Sequence, residues 1–164
     1  MKKLQLIFAV LVLAATSYAQ SDAHKMFDQV RALEGSWTGK TADGMDVKVA
    51  FRPASGGSAV MSEILSDRHG PDLMVTMFHL DNNRLMATHY CSVGNQPRMV
   101  ASASPDGKSI TFTFVDGTNI PTADSGHMQQ LAISISDANH HVEEWTFVDH
   151  GKEKKEVFTL ARAN

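Results

Sequence analysis

After Trp37 the chain is divided by turn-forming clusters at a nearly even spacing, and no helical stretch interrupts them. Nine such clusters fall at Ala42–Gly44, Pro53–Ser58, Arg68–Asp72, Asp81–Asn83, Gly94–Pro97, Pro105–Lys108, Asp116–Gly126, Asp137–His140 and His150–Lys154. The segments between them are β-rich or alternate strictly, as in Met45-Val47-Val49-Phe51, Ile110-Phe112-Phe114 and Leu131-Ile133-Ile135. Alternation of this kind puts every second side chain on one face of a strand. The punctuation predicts about ten short strands joined as hairpins. With no helices to carry crossovers, parallel pairing is excluded. An antiparallel meander of this length leaves two bare edges unless it closes on itself. The expected fold is therefore all-β: a single antiparallel up-and-down β-barrel of about ten strands, with a two-sheet sandwich as the alternative.

The segment before the strands has two parts. Lys2 and Lys3 precede an apolar run from Leu4 to Ala15, and Ser17-Tyr18-Ala19 supplies the small-x-small pattern of a cleavage site. This reads as an export signal over residues 1–19, with the barrel domain occupying 20–164. The run is too short to serve as a bilayer-spanning anchor, no cysteine directly follows the cleavage point, and the Lys-Lys start is bacterial in style. The expected location is periplasmic or secreted, without a membrane anchor. Residues 22–33 then form the one helix expected, with Met26, Phe27, Val30 and Leu33 at helical spacing, Ser21 or Asp22 as cap and Gly35 as terminator.

Composition removes several function classes. The length of 164 residues suits one domain with a sizeable core, and the net charge of -3 lacks the basic footprint of a nucleic-acid binder. A single cysteine excludes a disulfide framework or a Cys-rich zinc module. There is no His-Glu-x-x-His helix, phosphate loop, Gly-x-Ser-x-Gly elbow or EF-hand loop.

Leu33-Glu34-Gly35-Ser36-Trp37-Thr38-Gly39 follows the helix and opens the first strand. Gly35 and Trp37 resemble the Gly-x-Trp opening of lipocalin-like and other calycin barrels. The segments Met77–Asp81, Thr88–Cys91 and Gly94–Met99 are similar to exported bacterial proteins of that type. The resemblance implies a barrel with a pocket, and a tryptophan that closes one end beneath the N-terminal helix. Haem-binding barrels related to nitrobindin have a similar opening and a haem histidine late in the chain. His141 and His150 stand in that region here, and no motif selects either.

The candidate site centres on residues 88–99. Alternation places Leu85, Ala87, His89, Cys91 and Val93 on one otherwise apolar face, so His89 and Cys91 are expected to point inward. An imidazole and a thiol two residues apart suit ligation of a transition metal or haem iron, or a nucleophile–base pair; the plainer alternative is a satisfied core histidine. Tyr90, Asn95, Gln96 and Arg98 are donors for a polar rim, with Arg98 as anion contact. Alternation groups Glu63 with Ala59, Met61 and Leu65, and Glu143 with His141, Trp145 and Phe147, which would give two inward carboxylates. His79 depends on the Asp81–Asn83 turn. A two-residue Asn82-Asn83 turn sets it opposite Met86 and away from His89, whereas a three-residue turn brings the two together.

Three functions fit these residues. The first is an exported binding protein for a small apolar or amphipathic ligand, held by His89, Tyr90, Cys91, Asn95, Gln96, Arg98, Glu63 and Trp145. The second is a haem- or metal-dependent redox protein or enzyme built on His89 and Cys91. The third is an interaction module with a filled barrel.

Overall fold

A computed structural model describes residues 22–66, 73–122 and 124–163. The expected export signal and the Arg68–Asp72 turn lie outside the described residues. Helix α1 covers Asp22–Ala32. Ten strands follow: β1 (Gly35–Thr41), β2 (Asp46–Ala54), β3 (Ala59–Ser66), β4 (Met74–Asp81), β5 (Arg84–Tyr90), β6 (Gln96–Ala103), β7 (Ser109–Thr118), β8 (His127–Asp137), β9 (His140–Asp149) and β10 (Lys152–Arg162). Each pairs antiparallel with its neighbours in chain order, and β1 pairs with β10 to close the barrel. The predicted up-and-down topology holds, and the closed ten-strand architecture is compatible with a calycin-like fold.

The meander sorts its loops between two ends. The β2–β3, β4–β5, β6–β7 and β8–β9 connections lie at the end where α1 docks, the β1–β2, β5–β6, β7–β8 and β9–β10 connections at the other. Helix α1 plugs its end, burying Met26, Phe27 and Val30 and, just beyond its last turn, Leu33 in the same core as Phe51, Phe78 and Phe112. Each such side chain contributes about 1.5–3 kcal/mol relative to exposure. The Gln29 side-chain amide donates to the Gly107 carbonyl across 2.7 Å, pinning the helix to the β6–β7 turn.

Trp37 ties this end together. It is fully buried, and its Nε1–H donates to the Leu33 carbonyl at 2.8 Å. The Arg162 guanidinium lies 4.3 Å over the indole ring and donates to the Glu34 and Ala32 carbonyls at 2.6 and 3.2 Å. One cation on the last strand therefore covers the tryptophan of the first and satisfies carbonyls at the helix C-terminus. Gly39 lets the same two strands approach: a Cβ there would lie 1.9 Å from the Thr159 carbonyl oxygen.

The Asn82-Asn83 turn is the two-residue form, with Asn82 at φ 53°, the left-handed conformation a primed turn needs. His79 consequently pairs with Met86, on the face away from His89. The β3 expectation needs correction. Its buried side chains are Val60, Ser62, Ile64 and Ser66, so Glu63 faces outward and pairs with Arg52 at 3.0 Å. The two serines facing inward hide the true interior face from a hydropathy reading.

Candidate functional site

A cavity of about 570 Å³ opens at the end opposite α1. This is within the usual range for a small-molecule site. Its wall is apolar: Ile64 from β3, Met74 from β4, Met128 from β8, Trp145 and Phe147 from β9, and Phe158 from β10. Strand alternation explains the set. On β9 and β10 the inward positions meet in register, Trp145 opposite Glu156 and Phe147 opposite Lys154. The interior is thus aromatic in its depth and charged where β10 reaches the mouth, with Lys154, Lys155 and Glu156 at the rim.

His89 is the buried polar group on this wall. Its Nδ1 is 2.9 Å from the Thr76 hydroxyl on the adjacent β4, and its ring centroid is 4.9 Å from that of Trp145 at a 45° tilt. One hydroxyl and one aromatic face therefore hold the imidazole in place. His89 and Trp145 both line the cavity.

Cys91 reaches the same cavity by a different route from the one expected. The β5 strand ends at Tyr90, and Cys91 begins a tight turn: its N–H donates to the Asn95 carbonyl at 3.0 Å and its carbonyl accepts from Gly94 N–H at 2.9 Å. Burial pushes the half-buried thiol above its ordinary value of 9.0, outweighing hydrogen bonds from Val93 and Ser92. A thiol held protonated is poorly suited to nucleophilic attack or thiolate ligation. Among the described residues, no group of three or more His, Cys, Asp or Glu is placed to hold a metal ion. The two late histidines do not line the cavity. His141 is buried in the core with its ring 4.3 Å from Trp37, and His150 is exposed beside Asp149.

The expected polar rim is not assembled. Tyr90 is an exposed outward side chain. Arg98 also faces outward, alternating with buried Pro97 and Met99, and is neutralised by Asp116 on β7. Asn95 is buried and structural: its amide donates to the Gly126 carbonyl at 2.7 Å and joins the β5–β6 and β7–β8 loops. Gln96 bonds to Gly94 and Asn119 within the same loops. None of these four lines the cavity.

Behind the cavity wall lies a polar cluster that alternation on β9 groups correctly but does not connect. Glu143 is 1% exposed. One carboxylate oxygen accepts the indole N–H of Trp145 at 2.9 Å, and the other is 3.2 Å from His141 Nε2. Trp37 and Phe51 pack edge-on to the His141 ring. Same-face neighbours two residues apart on one strand thus form a chain from the plugged end to the cavity-lining indole of Trp145. The sequence signal was His-x-Glu-x-Trp at inward positions. No family model matches the chain, and no curated protein matches it in sequence.

Proposed function

We propose that this domain is an exported, lipocalin-like binding protein that takes a small apolar or amphipathic molecule into the open end of its barrel. The observation that carries the reading is the cavity of about 570 Å³ walled by Trp145, Phe147, Phe158 and two methionines, with the buried imidazole of His89 among them. Aromatic rings and flexible thioethers suit an apolar body of variable shape, and a single imidazole orients one polar group on it. Space of this size supports binding over a filled barrel. Lys154 and Glu156 at the rim offer contacts for a polar head.

Native mass spectrometry of the protein purified from its own host tests this, alongside an absorption spectrum and metal analysis. The expected result is an additional organic mass in the native protein, lost on Trp145→Ala. A Soret band or a stoichiometric metal would instead move the assignment to a cofactor at His89. An empty protein that also fails to enhance the fluorescence of anilinonaphthalene sulfonate would overturn the binding reading.

A further inference from the structure

The inward faces of β9 and β10 form a ladder that runs from the core up one side of the cavity. Register sets Glu143 opposite Phe158, Trp145 opposite Glu156 and Phe147 opposite Lys154, in order from the plugged end toward the mouth. Each rung joins an aromatic ring to a charged group. Directly opposed side chains have Cβ atoms about 4.5–5.5 Å apart, so the ring and the charge of one rung can touch the same ligand group. The carboxylates lie deeper than the ammonium. Glu143 is buried and Glu156 half-buried, whereas Lys154 is exposed where the strand meets solvent.

Aromatic faces and a carboxylate around one space suit an organic cation. Ring faces carry negative potential and attract an ammonium most strongly where water is excluded. Trp145 is the best placed of the three rings. Its N–H is donated to the Glu143 carboxylate at 2.9 Å, which polarises the indole and makes its face more negative. The other tryptophan, Trp37, already carries a cation on its face, the Arg162 guanidinium at 4.3 Å. Trp145 instead lines the cavity with Phe147 and Phe158, across from Glu156. An anionic head at the same level would stand between Glu156 and the buried Glu143.

The mouth carries the same sign. Of its cations, Lys40 pairs with Asp46 and Arg98 with Asp116, and Lys155 is held by Glu144. Among the described residues, Lys48, Lys152 and Lys154 are then set against Asp43, Asp124, Asp149, Glu153 and Glu156. An acidic entrance with apolar walls raises the local concentration of cations. We propose that the ligand of this cavity is an organic ammonium ion, an amine or quaternary ammonium carried on an apolar body. The inference rests on the binding reading above and names its ligand class. The ammonium sits between the Trp145 ring and the Glu156 carboxylate, and the apolar body fills the space walled by Ile64, Met74, Met128 and Phe158.

Isothermal titration calorimetry of the purified protein with decyltrimethylammonium, decanol and decanoate, one chain with three head charges, tests the proposal. The cation is expected to bind about tenfold more tightly than decanol, and decanoate more weakly than either. Glu156→Gln is expected to remove most of the cation's advantage while leaving decanol unchanged. Lys154→Glu, at an exposed position, is expected to increase that advantage. Thermal unfolding verifies the fold of both variants, and if Glu156→Gln fails to fold, Lys154→Glu alone decides. Decanol or decanoate binding as tightly as the cation overturns the proposal and leaves the binding reading standing. A cation preference that neither variant changes also overturns it. Failure of all three probes to bind overturns both the proposal and the binding reading.

Discussion

Glu143→Ala puts the buried network under direct test. The substitution removes the acceptor shared by Trp145 Nε1 at 2.9 Å and His141 Nε2 at 3.2 Å, at a position only 1% exposed. Water does not readily replace a carboxylate there. Each buried donor left without an acceptor costs about 1–3 kcal/mol. Two such donors together cost about 2–6 kcal/mol, and the shortened side chain adds a void opposite Phe158 on β10. We expect a loss of about 3–5 kcal/mol, a large share of the roughly 5–15 kcal/mol available to an ordinary domain. Glu143→Gln keeps one oxygen for the indole but turns an amide N–H2 toward His141 Nε2, which bonds only if the imidazole changes tautomer, so its cost is expected at about 1–3 kcal/mol, below that of the alanine variant. Urea unfolding followed by far-ultraviolet circular dichroism gives both values, and near-ultraviolet dichroism reports whether the Trp145 indole stays fixed. Equal costs for the two variants, or an alanine variant within about 1 kcal/mol of the parent, would refute the argument that this carboxylate anchors the cavity wall.

Other consequences are as open to measurement. Gly39→Ala places a Cβ 1.9 Å from the Thr159 carbonyl oxygen, so thermal unfolding should lose cooperativity, whereas Gly44→Ala meets nothing within 4 Å and should cost about 1 kcal/mol for its φ of 89°. The raised Cys91 pKa means that the folded thiol stays protonated where the unfolded one ionises; its contribution is complete below 9.0 and is lost as pH rises through the higher folded value. Iodoacetamide at mildly alkaline pH should therefore modify the native protein more slowly than the urea-unfolded one. Asp106, held by the Ser104 hydroxyl and Lys108 N–H, and Asp137, held by Asn139 N–H and His140, titrate below the ordinary 3.8. Their stabilisation is present above 3.8 and is lost as pH falls through the lower folded values, so Asp106→Asn and Asp137→Asn should flatten the acid limb of melting temperature against pH.

The barrel was legible because turn chemistry is local. Asn82-Asn83 and Pro105-Asp106-Gly107 each specify a reversal from their own backbone preferences, and strands between such reversals pair only with their neighbours. The side-chain directions were legible only where hydropathy and strand length agreed. On β9, His141, Glu143 and Trp145 alternate without interruption and all face inward. On β3, Ser62 and Ser66 occupy the interior while Met61 and Leu65 lie outside, so the apolar residues pointed to the wrong face and carried Glu63 with them. Extrapolating β5 past Tyr90 put Cys91 and Val93 on its alternation, although the backbone had already entered a turn. Arg98 failed for another reason: its partner Asp116 belongs to the next strand, and a cross-strand ion pair depends on register that the sequence does not print.

The seam between β1 and β10 also governs how the molecule comes into being. Every other strand pair joins consecutive segments, but this one brings Thr38 to Ala161. Hairpins can zip in chain order at low loop-closure cost, while the seam must await the last residues of the chain. Until it forms, the two terminal strands present bare edges, and Trp37 lacks its covering arginine. The slowest step of assembly should therefore be ring closure, and the period before it is when the chain is most open to pairing with another copy of itself. A truncation removing Arg162 acts on that interval as well as on the finished fold.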